Sequence, residues 1–249
     1  MAGFQEVYVS RKIGIKGDGL EQAIVSGPWV TKYKIFDECF FADADEHDWA
    51  ETTYGTTIDH GAVEGGSTTI TAGGTLNDAG ELSHTAQWSA AKNCGVEIRM
   101  KVSAITTICV CGGLVDAREN TNDHVAMEIS GTALRSCTVT ADFCGFIFDT
   151  DQDTDVWYVG ASNNGTEGTP VAATGTLAPV ANTFFIIRIQ TDKDGNVRFY
   201  YNGVNVGVLP TAIAYASTNL LTPYVGFIAR STGTPVCTVN RITTWQECS

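Results

Sequence analysis

Apolar residues recur at every second position through much of the chain. The clearest stretch is FFIIRIQTDKDGNVRFYYNGVNVGV, residues 184 to 208. Ile187 and Ile189 alternate with Arg188 and Gln190, and Val197, Phe199 and Tyr201 alternate with Arg198 and Tyr200. That period belongs to strands buried on one face. Asp192-Lys193-Asp194-Gly195 supplies one turn, and Asn202-Gly203 supplies a second of type I′, in which both central residues need positive φ. The stretch is predicted to be an antiparallel meander.

The same alternation predicts strands over Val96–Val102, Ile108–Val115, Phe143–Phe148, Val156–Val159, Tyr224–Ile228 and Val236–Trp245. No window of a dozen residues carries apolar positions at i, i+3, i+4 and i+7, so helices are expected to be minor. At 249 residues with strands this short and numerous, one all-β, two-sheet antiparallel jelly-roll sandwich fits better than two domains. Residues 1–34 are expected to form an extended N-terminal arm and residues 35–249 the sandwich.

The runs CGVEIRMKV, GFIFDTDQDTDVWYV, FFIIRIQTDKDGNVRFYYNGVNVG, LTPYVGFIAR and VNRITTWQ resemble the concanavalin A-like lectin/glucanase jelly roll. More narrowly, they resemble its version in the decoration, or cement, proteins of tailed-phage heads. The resemblance spans residues 85 to 246 and its patterns are those of a fold, not of a chemistry. It implies a virion structural protein on the capsid exterior, made in the host cytoplasm and bound to the major capsid protein. Neighbouring copies would be further partners, in a homo-oligomer that a trimer would satisfy. It implies no cofactor.

Charge narrows the partners. The net charge of −13 argues against nucleic acid, whose affinity comes from Lys and Arg neutralising phosphates. No apolar run is long enough to span a bilayer, and MAGFQEVYVS has neither the basic n-region nor the apolar h-region of a secretory signal. Residues 1 to 34 hold five bases (Arg11, Lys12, Lys16, Lys32, Lys34) against three acids, whereas Ile35 to Glu64 holds nine acids and no Lys or Arg. Those five bases are candidate contacts to an acidic partner. The competing reading is a solvated surface.

Eight cysteines could in principle form four bridges. Cytosolic synthesis, the absence of a C-x-x-C pair, and Cys109 and Cys111 on one face of one strand favour free, buried thiols instead. Asp149, Asp151, Asp153 and Asp155 alternate through the only run that resembles a metal loop. Thr154 stands where an EF-hand needs glycine and Gly160 where it needs a bidentate glutamate, so an acidic hairpin tip is the preferred reading.

A retaining glycosidase on this fold needs two carboxylates close together on one face. The strand expected to carry them reads Glu97-Ile98-Arg99, one acid and one base, so no catalytic residue is assigned and no enzyme is expected. His47, His60, His84 and His124 lie outside any nucleophile or metal motif. A lectin-like alternative remains: Trp157, Tyr158, Asn163 and Asn164 offer aromatic and amide groups to a glycan, although Trp157 and Tyr158 point to opposite faces of their strand.

Overall fold

The computed structural model describes residues 33–38, 49–61, 66–118, 124–131, 133–136, 142–175, 177–209 and 219–247. Two antiparallel sheets stack face to face. Sheet A runs in the order β16 (Val204–Leu209), β15 (Val197–Tyr201), β14 (Phe185–Thr191), β6 (Gly95–Val102), β18 (Val236–Glu247), β4 (Thr68–Ala72) and β3 (Thr56–His60). β1 (Tyr33–Glu38) pairs with the second half of β18. Sheet B runs β12 (Thr166–Glu167), β11 (Tyr158–Asn163), β10 (Phe143–Asp149), β7 (Ile108–Val115), β17 (Thr222–Ala229), β5 (Ala79–Ser83) and β2 (Ala50–Tyr54), with β13 (Val171–Ala172) beside β11. The helical element among these residues is one 3-10 turn, Ala90–Lys92.

Alternation decides which side chains enter the core. Val96, Ile98, Met100 and Val102 of β6 and Ile187 and Ile189 of β14 meet Val110, Phe146, Phe148 and Phe227 from sheet B. Trp157 closes this layer, its ring 5.8 Å from Phe146 and 5.3 Å from Phe185. Asn202 and Gly203 both have positive φ, as the Asn-Gly hairpin requires. At Gly113 the backbones of β7 and β10 come so close that a Cβ would sit 2.2 Å from the carbonyl oxygen of Cys144.

Sheet B is apolar on its outer side as well. A short hairpin, β8 (Met127–Ser130) and β9 (Ala133–Ser136), lies over it. Val125, Met127 and Ile129 pack there against Cys109, Cys111, Phe143, Ile147, Tyr224 and Ile228, a second core outside the sandwich proper. This explains why β7, β10 and β17 read as nearly continuous apolar runs and not as clean alternation: they are buried on both faces. Five described cysteines, Cys94, Cys109, Cys111, Cys144 and Cys237, are free and buried, as the sequence reading expects.

β11 begins at Tyr158, two residues after the expected strand at Val156, and runs on to Asn163. The Thr-rich strands β2, β3 and β4 and the hairpin β8–β9 are not anticipated by the periodicity. Arg11, Lys12, Lys16 and Lys32 lie outside the described residues. Lys34 lies within β1, so the expected arm boundary at residue 34 falls inside a strand of sheet A.

Candidate functional site

Beneath the hairpin, carboxylates from three positions converge on one guanidinium. Arg230, just past β17, reaches Asp149 at the end of β10 with two bonds, Nε to Oδ1 at 3.1 Å and Nη2 to Oδ2 at 2.7 Å. Its Nη2 also donates to Glu128 Oε2 of β8 at 3.2 Å, and its Nε lies 3.4 Å from Asp151 Oδ2. His124 Nδ1 is 3.0 Å from Glu128 Oε1. Burial opposes the guanidinium's charge, but the neighbouring Cys109, Asp149 and Glu128 outweigh it and hold its pKa above the ordinary arginine value. Nearby, Tyr224 donates its hydroxyl proton to Glu81 Oε1, and the Ala126 N–H donates to both the Tyr224 hydroxyl (2.8 Å) and Glu81 Oε1 (2.9 Å). Each group ties the hairpin to the sheet below it.

Glu128 and Asp149 share one guanidinium nitrogen, so their oxygens lie at most about 6 Å apart, close to the spacing of a retaining carboxylate pair. Sequence reasoning missed this pair because its members sit on different strands. Both carboxylates are buried, 2 % and 0 % exposed, and both are engaged by Arg230, an arrangement that anchors the roof. No described strand carries two carboxylates two or four positions apart. Glu97 projects from the opposite sheet, across from Arg188 on β14 and Thr243 on β18.

The outer face of sheet A is differently charged. The adjacent strands β6, β14 and β15 carry four bases (Arg99, Lys101, Arg188, Arg198) and one acid (Glu97), a balance of +3 that leaves −16 for the rest of the chain. Pairing register places the bases on a diagonal. Lys101 and Arg99 are two apart on β6; Arg188 lies one strand over, opposite Glu97; Arg198 lies one strand further, opposite Gln190. The Arg99 guanidinium stands 3.9 Å and the Lys101 ammonium 4.9 Å from the centre of the Phe184 ring. Arg188 stacks 4.1 Å over Tyr200, and its buried Nε has no acceptor among the described residues. Arg99 also donates to Asn240, the residue at the register shift between β18 and β6. Burial pushes the Glu97 carboxyl up, against the opposing pull of Arg188 and Arg241. At the margin, Arg241 grips Asp37 of β1 through Nε to Oδ1 at 2.7 Å and Nη2 to Oδ2 at 2.8 Å.

The remaining sequence candidates scatter. Lys34 donates from Nζ to Gln87 Oε1 at 2.6 Å and lies over Trp88 at 4.7 Å, contacts within its own chain. Trp157 is fully buried in the inner core, so its ring does not face solvent, while half-buried Tyr158 sits against the second core. Asn163 ends β11, and exposed Asn164 takes φ 48° in the turn, where its N–H donates to Asp142. The four amide and aromatic groups therefore do not share one surface. Asp149 is consumed by Arg230; Asp151, Asp153 and Asp155 are exposed around the loop from β10 to β11. No cluster of three or more metal-ligating side chains occurs among the described residues.

No family model matches the chain, and no curated protein matches it. Solved structures match in fold. The carbohydrate recognition domain of Emp47p superposes with a TM-score of 0.61 at 10% identity, covering 89% of this chain and 100% of that one. Peanut lectin gives a TM-score of 0.57 at 14% identity, covering 88% and 99%. The β-glucanase of Bacillus licheniformis gives 0.57 at 14% identity, covering 84% and 97%. At these identities the likeness establishes the fold alone: this chain is a concanavalin A-like jelly-roll sandwich.

Proposed function

We propose that this protein is a virion structural protein that decorates the outside of a tailed-phage head and acts by surface contact, without catalysis. The observation that carries the contact half of this reading is the segregation of charge: a preorganised basic face on sheet A of a strongly acidic chain. Aromatic rings under the cations hold them in place, so less side-chain entropy is lost on docking to an acidic surface. The non-catalytic half rests on the carboxylates, since Glu97 faces bases and the Glu128–Asp149 pair is sealed and ion-paired. The virion half rests on the resemblance of the strand runs to phage decoration proteins.

Adding purified chain to undecorated heads tests attachment. Saturable binding that weakens with salt and is lost in Arg99→Glu plus Lys101→Glu is expected; binding indifferent to both changes would contradict the assignment of this face. The same preparation is expected to release no reducing sugar from β-glucans, and turnover abolished by Glu128→Gln would show an enzyme instead.

A second reading, a glycan-binding module, is favoured by the lectin and the carbohydrate recognition domain among the matching structures. A glycan array separates the two: selective, saturable binding to one glycan class supports the module.

A further inference from the structure

Glycine follows asparagine at two places in the sequence, Asn164-Gly165 and Asn202-Gly203, and each pair forms the two-residue turn of a hairpin. Asn163 pairs with Thr166 across the first turn, between β11 and β12, and Tyr201 with Val204 across the second, between β15 and β16. All four turn residues are exposed and have positive φ, 48° and 75° at the first turn and 49° and 83° at the second. Neither glycine has an atom within 4 Å of where a Cβ would stand. Backbone and exposure are therefore alike in the two turns, and side-chain tethering is what separates them. The Asn202 carboxamide oxygen accepts the Ile186 N–H at 2.9 Å, and the Asn202 N–H donates to the Ile186 carbonyl at 2.8 Å, so the residue is fastened to β14 twice. Asn164 is held through its backbone N–H, which donates to Asp142 Oδ1 at 2.7 Å; its carboxamide makes no hydrogen bond among the described residues.

We propose that Asn164 is a site of spontaneous deamidation in the folded protein and that Asn202, in the same kind of turn, is protected. The Gly165 amide nitrogen gives up its proton and attacks Asn164 Cγ. The N–Cγ bond forms, the Cγ–Nδ2 bond breaks, ammonia leaves carrying that proton, and a cyclic succinimide remains. Water then opens the ring at either carbonyl, giving aspartate or, with the main chain rerouted through the side chain, isoaspartate. Attack needs the carboxamide carbon to swing over the following nitrogen, and glycine, with no side chain, obstructs that approach least. At Asn164 the swing breaks no side-chain hydrogen bond. At Asn202 it must first break the bond from Ile186, which slows it roughly fivefold. Each converted molecule gains one negative charge beside the buried Asp142 carboxylate, and the isoaspartyl form lengthens the main chain in a turn of only two residues. The tip of β11–β12 thus changes charge and shape with water as the sole co-reactant.

The test is ageing of the full chain in mildly alkaline buffer, with peptide mapping by mass spectrometry to follow amide-to-acid conversion at each asparagine. A protein isoaspartate methyltransferase counts the isoaspartyl product, and a parallel sample is aged in urea, where the Ile186 bond is gone. In the folded chain Asn164 is expected to convert roughly fivefold faster than Asn202, with an acidic form growing on anion exchange at the same rate. In urea the two rates are expected to draw level, through a rise at Asn202. Asn164→Gly, which suits the positive φ of the turn, is expected to remove the early acidic form. A folded chain in which Asn164 stays intact, in which the two sites convert equally or Asn202 leads, or an equal lag of Asn202 in urea would each overturn the proposal.

Discussion

Arg230 has the most consequence of any single side chain described. It donates to two buried carboxylates from different elements, Asp149 on β10 and Glu128 on β8, and removing it takes away the one guanidinium that both accept. Arg230→Ala is expected to lower stability by about 3–5 kcal/mol, read as a shift of the urea midpoint, with Arg230→Lys intermediate because an ammonium cannot reproduce the two-nitrogen bond to Asp149. Glu97 presents the opposite case. Burial raises its pKa, so the folded chain keeps the carboxyl proton to a higher pH than the unfolded chain does. Ionised Glu97 therefore costs stability above its folded pKa, and that cost fades as pH falls toward the ordinary carboxylate value near 4.3. Glu97→Gln is expected to be at least as stable as the parent at pH 7 and to lose any advantage at acid pH; a variant clearly weaker at pH 7 would contradict this. The buried thiols follow the same logic: Cys94 and Cys237 are pushed up to about 12, so at pH 8 only about one molecule in ten thousand carries either thiolate. Native protein is expected to resist thiol labelling at these two positions until denaturant is added. Free thiols are legible in the sequence from spacing and compartment. The Arg230 clamp is not, because its members lie 128, 149 and 230 along the chain and nothing local marks them.

Among the elements, the roof hairpin β8–β9 adds a second apolar layer to a sandwich that already has one. Val125, Met127 and Ile129 alternate, so a short strand could be read there, but the run is brief and lies outside the strongly patterned segments. Its identity as a roof depends on what lies beneath: β7 and β10 carry apolar residues on both faces, a pattern that signals burial on both sides without saying what covers the outer one. Ile129→Ala is expected to cost about 2–5 kcal/mol in chemical denaturation, as for any aliphatic side chain fully enclosed in a core. A loss below about 0.5 kcal/mol would show that the hairpin is not packed as described. The meander β14–β15–β16 was legible almost residue by residue, since its turns carry their own chemistry at Asn202 and Gly203. The Thr-rich strands β2 to β4 were not, because threonine on both faces blurs the contrast on which periodicity depends.

At the scale of the molecule, the two faces of the sandwich have divided their work. Sheet B turns its outer face into a second core; sheet A carries on its own a stripe of cations, three of them held over aromatic rings. Fold class followed from the sequence because alternation is a local property. The location of the contact surface did not, because the stripe forms only when three strands distant in sequence are set side by side in one register. The stripe is a basic surface that only the register reveals. A decoration protein, as proposed, is a stoichiometric part of the virion, so its amount in intact particles is fixed by the shell it covers. Quantitative mass spectrometry of gradient-purified particles is predicted to give a fixed, high copy ratio of this chain to the shell protein, unchanged between preparations. A chain that is absent from the particles, or present in trace amounts that vary between preparations, would contradict the account.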